Sequence, residues 1–267
     1  MASQRASEKV DLIPWDPVDE DHYQRMYSQR VACGWREDEV ALWKEEVLAG
    51  HVFFYWIVLS DNLEDREGLL AAHIQKYPIE KEPLKDTVKI VGKEPRRRSG
   101  RTFVPIGHIS LRHIPDLNTQ FSLPQDTIWI KSLYVSWALQ AGGFGRSAMA
   151  QLERLAAAPP YNASVVALDT IRRDYHLSEE HLRWLYDRRG LERPKRHVST
   201  QDWYASQGYE QIPNSAVSFY ENKAEDGSVQ RLPVVFLSKK LPANGLRSWP
   251  PEFPSLTTNG SLRLSID

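Results

Sequence analysis

Ile128-Trp-Ile-Lys-Ser-Leu-Tyr-Val135-Ser-Trp-Ala-Leu-Gln140-Ala-Gly-Gly-Phe-Gly145-Arg-Ser-Ala-Met149 passes from one kind of local structure to a second and then a third. Ile128 to Val135 is rich in β-branched and aromatic residues and reads as a strand. The glycines at 142, 143 and 145 mark a turn. Met149, Leu152 and Leu155 then share one face of a helix expected from about Gly143 to Ala158, and Pro159-Pro160 ends it. Ser164-Val-Val-Ala-Leu-Asp-Thr170 reads as another short buried strand. A strand, glycine turn, helix and strand in this order should place the two strands in parallel.

Upstream, Val10 to Trp15 reads as an extended start. Pro17 and Asp19 mark a helix start, and Tyr23, Met26, Tyr27 and Arg30 recur at helical spacing. A second helix begins after Trp35, with Glu37, Asp38 and Glu39 in its first turn, and stops at Gly50. His51 to Leu59 is a strand, β-branched and aromatic almost throughout. Residues 61–101 are charged and carry Pro78, Pro83 and Pro95, so they read as a long mobile loop insertion. Its basic peak, Lys93 to Arg101, reads as solvated surface. Thr102 to His113 is a strand, and Pro115 to Gln125 is a turn.

Downstream, 171–201 reads as a helical insertion. Ser178 is its N-cap, Glu179 and Glu180 fill the first turn, Leu182, Leu185 and Tyr186 share a face, and Gly190 follows. A shorter helix spans Gln201 to Gln207. Strands near Ala216 to Asn222 and Pro233 to Leu241 flank the hairpin-like Glu225-Asp-Gly-Ser228, and 242–267 reads as an irregular tail.

A chain of 267 residues with 41% hydrophobic and 10% aromatic content can bury a sizeable core. Its 34 Lys plus Arg nearly balance 35 Asp plus Glu, so no overall field draws it to nucleic acid or to an anionic membrane. No apolar run is long enough to span a bilayer, and the first residues lack a secretory core. A soluble, cytoplasmic protein is expected, a monomer or homodimer, with neither nucleic acid nor membrane as a partner. Cys33 is the only cysteine, which rules out an internal disulfide and a cysteine-rich metal site, and no metal is expected.

Gln140-Ala141-Gly142-Gly143-Phe144-Gly145 between a strand and a helix has a direct physical use. Glycines let consecutive backbone N–H groups turn toward one anion, and the helix N-terminus adds partial positive charge. Arg146 and Ser147 can add side-chain donors. Gly143-Phe-Gly145-Arg-Ser-Ala148 also satisfies a loose dinucleotide fingerprint, with Asp169 where a ribose-binding acid would sit. Against that alternative, the unit starts mid-chain and is followed by strands that look antiparallel.

Leu133 to Gly145 resembles the signature of the GCN5-related N-acetyltransferase (GNAT) family, an apolar strand ending in valine followed by Q/R-x-x-G-x-G/A; Gln140, Gly143 and Gly145 match it. Trp203-Tyr204-Ala-Ser-Gln-Gly208-Tyr209 resembles the family's second signature, and the resemblance covers residues 10–241. It implies an α/β (α+β) fold with a mixed, mostly antiparallel central sheet flanked by helices, and an inserted helix between the fifth strand and the helix of the second signature. It also implies transfer of an acetyl group from acetyl-CoA to an amine. Backbones of Leu133, Tyr134 and Val135 would hold the pantetheine arm, and Gln140 to Ser147 the pyrophosphate.

By the same resemblance Tyr204 would protonate the leaving thiolate. The central strand carries no Asp or Glu, so Ser132, His108, Asp126 and Asp169 are the candidates for base or water-positioning residue. His197 stands where the family often has an asparagine. The acceptor site would draw on Cys33-Gly34-Trp35, Tyr55, Trp56, Trp129 and the insertion 171–201 as a wall. A small amine or amino-acid-like acceptor is expected; a protein or peptide acetyltransferase and a CoA-binding regulator without catalysis stay open.

Overall fold

The computed structural model describes residues 8–92, 94–187, 190, 192–194, 197–213, 218–223 and 229–242. Its elements, in chain order, are β1 (Val10–Pro14), α1 (Glu20–Cys33), α2 (Val40–Leu48), β2 (Val52–Leu59), α3 (Arg66–Lys76), β3 (Leu84–Lys85), β4 (Ile90–Val91), β5 (Glu94–Pro95), β6 (Thr102–Phe103), β7 (Pro105–Arg112) and α4 (Pro115–Gln120). They continue as β8 (Ile128–Val135), α5 (Phe144–Ala157), β9 (Val165–Ile171), α6 (Arg173–His176), α7 (Glu179–Leu185), α8 (Thr200–Ala205), β10 (Glu210–Gln211), β11 (Ser218–Lys223) and β12 (Val229–Lys240). One sheet runs β1-β2-β7-β8-β9-β12-β10, with β11 beside β12.

Every pairing in that sheet is antiparallel except β8 with β9. The fold is therefore mixed and mostly antiparallel, with helices on both faces. The parallel pair is the one expected from the strand, turn, helix, strand order. The antiparallel return of β12 onto β9 excludes the doubly wound sheet that a dinucleotide domain requires.

Strand β2 shows how the layers form. All eight of its residues are buried. Phe53, Tyr55, Ile57 and Leu59 join one core with Ala148, Met149 and Leu152 of α5, whereas Val52, Phe54, Trp56 and Val58 join another with Met26 of α1 and Trp43 of α2. Alternating side chains of a central strand face opposite layers, so a continuous apolar run is needed.

The expected loop at 61–101 is corrected. It holds α3, whose Leu69 and Leu70 pack on the main core and whose His73 is buried with Nδ1 2.9 Å from Ser136 Oγ. Two arginines of its basic peak are tied down, while Arg97 and Arg98 are exposed as expected. Arg96 makes two hydrogen bonds to the buried Asp86, at 2.7 and 2.8 Å, and Arg101 reaches Asp11 and Asp61 at 2.7 and 2.8 Å. The expected turn at Pro115 to Gln125 likewise contains a helix, α4, with proline in its first turn. The expected hairpin turn at 225–228 and the tail beyond 242 lie outside the described residues.

Strand β8 is irregular where the site begins. Its register against β7 steps from His108↔Tyr134 to Ser110↔Lys131, so Ser132 and Leu133 together oppose Ile109. Ser132 has φ 54, the left-handed conformation that a bulge residue adopts. On the other side, the ladder with β9 consists of Ile128↔Val166 and Trp129↔Ala167. Beyond that level the two parallel strands diverge.

Candidate functional site

Lys131 on β8 and Asp169 on β9 each lie two residues past the last ladder pair, and their side chains form an ion pair across the gap. The Asp169 side chain is 3% exposed. Burial pushes its carboxyl up and the Lys131 ammonium down; the Arg36 charge opposes the first shift and, with Arg112, adds to the second. Such a pair titrates as a unit. The charge of Arg36 acts on both. Lys131 and Arg36 were not among the residues singled out from sequence; a lysine on a strand carries no signal until its cross-strand neighbour is known.

Tyr204 stands beside this pair. Its helix α8 is capped by Ser199, which accepts from Asp202 N at 3.0 Å, and is held to β9 by Thr170 and Thr200, whose hydroxyls are 2.6 Å apart. The Tyr204 ring packs on Trp203 and Tyr209, with centroids 4.8 and 5.7 Å away. Burial and the charge of Asp169 push its phenol above the ordinary value. Tyr204 is thus a proton-bearing group at neutral pH, next to a carboxyl that burial holds above the ordinary carboxylate range.

The glycine turn lies where β8, α5 and α8 meet. A Cβ at Gly145 would come 3.5 Å from Trp203 and 3.9 Å from Val135. Gly143 has φ 83 and Ala141 φ 66, and α5 starts at Phe144. Amides of Phe144, Gly145 and Arg146 are in the first turn of α5 and have no intrahelical acceptor. Among the described residues Arg146 makes no ion pair; it donates to Ser206 Oγ at 2.8 Å. These residues suit an anion such as the pyrophosphate of CoA: free amides, a helix N-terminus and an uncompensated guanidinium. Gln140 Nε2 is 3.4 Å from the carbonyl of Val135, tying the turn back to the strand end. Leu133 and Val135 are partly buried against the core, and Phe144 is buried in it.

Several expected site residues are placed elsewhere. His108 is buried between Gln29, 2.9 Å from Nδ1, and Arg30, 3.3 Å from Nε2, and burial plus the Arg30 charge hold it well below its ordinary pKa. It is enclosed in the core as a neutral ring and has no route to an acceptor. Trp56 is 0% exposed and donates to His22 Nδ1 at 3.0 Å; Trp129 is 0% exposed and donates to Asn118 Oδ1 at 2.8 Å. Both are core residues, as is Tyr55, whose hydroxyl lies 2.5 Å from that of Tyr161. Asp126 accepts from the backbone N and Oγ of Ser164, both at 2.9 Å, and ties the start of β8 to that of β9. The Tyr134 ring lies 5.4 Å from that of His108, while its backbone, the part expected to hold the pantetheine arm, is on β8. The Ser147 hydroxyl accepts from Lys9 N at 3.1 Å. Ser132 shapes the bulge.

Trp35 is partly exposed and forms an aromatic wall. Its ring is 6.3 Å from Trp184 of α7 and 6.0 Å from Tyr220 of β11, and the Arg36 guanidinium lies 4.9 Å over Tyr220. The insertion therefore meets the turn between α1 and α2, and Arg36 links that wall to Lys131 and Asp169. Behind it, His176, His181 and His197 pack with centroids 4.8 Å apart in two contacts. Burial, with the neighbouring imidazoles, lowers His176 to about 3. His197 is held by the Tyr186 hydroxyl at 3.1 Å.

No family model matches the sequence, and no curated protein matches it. Solved structures are similar to it over most of the chain, each with a TM-score below 0.5. An acetyltransferase of the GNAT family from Staphylococcus aureus Mu50 is 10% identical with a TM-score of 0.42, covering 87% of this chain and 99% of that one. The aminoglycoside 6'-N-acetyltransferase from Enterococcus faecium is 11% identical with a TM-score of 0.44, covering 86% and 97%. Arabidopsis thaliana NAA60 in complex with acetyl-CoA is 9% identical with a TM-score of 0.45, covering 87% and 98%.

Proposed function

We propose that the chain is an acetyl-CoA-dependent N-acetyltransferase of the GNAT family that acts on a small amine or amino-acid-like acceptor. The observation that carries this reading is the divergence of β8 from β9 at Lys131 and Asp169, with the free amides of the glycine turn beyond the end of β8 and Tyr204 beside Asp169. A parallel pair that opens in this way leaves the β9-facing backbone of β8 unpaired, available to an extended pantetheine arm. The turn takes the pyrophosphate, and the aromatic wall of Trp35, Trp184 and Tyr220 takes the acceptor.

The acceptor nitrogen attacks the thioester carbonyl, the new C–N bond forms and the C–S bond breaks. Asp169 takes the proton that the amine loses, and Tyr204 supplies one to the departing thiolate. Holding the two substrates in line supplies much of the rate, so two side chains suffice. The test is release of free thiol from acetyl-CoA across amines, amino acids, polyamines and peptides. Turnover with a small amine supports the reading. Turnover with peptides alone transfers the assignment to a peptide acetyltransferase, and CoA binding without turnover on any amine leaves a regulator.

A further inference from the structure

We infer that Lys9, on the lead-in to β1, is a positioning residue for the phosphate-bearing end of the ligand at the glycine turn; the inference rests on the CoA reading above. Lys9 lies far from the turn in sequence and is fixed to it in space. Its Nζ donates to the carbonyl of Gly142 at 2.8 Å, and its backbone N donates to Ser147 Oγ at 3.1 Å. Its own carbonyl accepts from Ser60 N at 3.1 Å, which ties the residue to the end of β2. Both ends of the turn, before and after the first helical residues, are thus held by one side chain and one backbone amide.

The consequence follows from peptide geometry. In a planar trans peptide the C=O and the next N–H point in opposite directions. With the Gly142 carbonyl held toward Lys9, the Gly143 amide faces the other way, beside the first-turn amides of Phe144, Gly145 and Arg146. The φ of 83 at Gly143 permits that orientation, and a Cβ there would lie 3.4 Å from Lys9 Nζ. The ammonium is also uncompensated: among the described residues Lys9 makes no ion pair, and the nearest ring, Phe144, is 5.8 Å away. It therefore orients the amides and adds positive potential for an anion. Lys9 touches no reacting atom.

Calorimetric titration of CoA and of phosphate-free pantetheine into the wild type, Lys9→Met and Lys9→Arg tests this, with each variant's melting temperature recorded. Loss of a charged hydrogen-bonding group predicts CoA binding about tenfold weaker in Lys9→Met, with recovery in Lys9→Arg. Its salt dependence should be flatter, and pantetheine binding unchanged. Unaltered CoA affinity in Lys9→Met, or an equal loss for CoA and pantetheine, overturns the inference while leaving the CoA reading intact. A wild type that fails to bind CoA overturns both.

Discussion

Tyr204 keeps its proton at neutral pH because burial and the nearby Asp169 both penalise the phenolate. Tyr204→Phe should lower kcat by roughly a hundredfold, the lower range for a lost general acid, with little change in KM for acetyl-CoA. Thiol release at saturating acetyl-CoA reads this, and unchanged turnover would remove the acid role. In the proposed mechanism Asp169 sets the pH dependence. Its protonated form accepts no proton, so kcat/KM should rise with pH as the carboxyl ionises, on a limb displaced upward from the ordinary carboxylate range toward about 7. Lys131→Met removes the counter-ion from a buried carboxyl, so the limb should move to higher pH, and Asp169→Asn should abolish it. A limb that moves down in Lys131→Met would show that another group titrates. Trp56 gives the contrasting case. Trp56→Ala should cost about 3–5 kcal/mol in chemical denaturation, as expected for a buried aromatic, without altering acceptor preference in the folded fraction.

At the scale of elements, the question is what α7 contributes. Trp184 meets Trp35, and Tyr220 closes the same wall from β11. Trp184→Ala should therefore raise KM for the acceptor several-fold more than KM for acetyl-CoA, in bisubstrate kinetics; an equal rise in both would place α7 outside the acceptor site. The cap that builds this helix was legible, since Ser178 accepts from His181 N at 3.2 Å as its position before Glu179 and Glu180 suggested. So were the bounds of β8. Helix α3 was not legible, because its buried position is polar: His73 faces Ser136, and hydrophobic periodicity has no term for a buried histidine. Helix α4 was hidden in the same way, its buried residue being Asn118, which donates to Thr127 O at 2.9 Å. Tryptophan composition misled at 56 and 129, since nothing in the count separates a core indole from a pocket lining.

At the scale of the molecule, β8 with its glycine turn, β9 and α8 come from three stretches of chain, and their meeting is a long-range fact. The pairings 131 with 169 and 35 with 184 and 220 are set by register and docking, which local sequence does not encode; the turn and Tyr204 were readable because each is one local motif. A ligand that spans the turn, β8 and α8 at once should stabilise the whole fold, since it binds the native arrangement and none of these stretches alone. At one hundred times its Kd, such a ligand contributes about 2.7 kcal/mol. For a chain of this size, at about 2–4 °C per kcal/mol, that predicts a rise in Tm of roughly 5–10 °C with CoA in a thermal melt. A nicotinamide dinucleotide shares the pyrophosphate but lacks a pantetheine arm to lie along β8, and it should give a much smaller rise. An equal rise with both would reduce the site to an anion cradle, and no rise with CoA would remove the acetyl-CoA reading altogether.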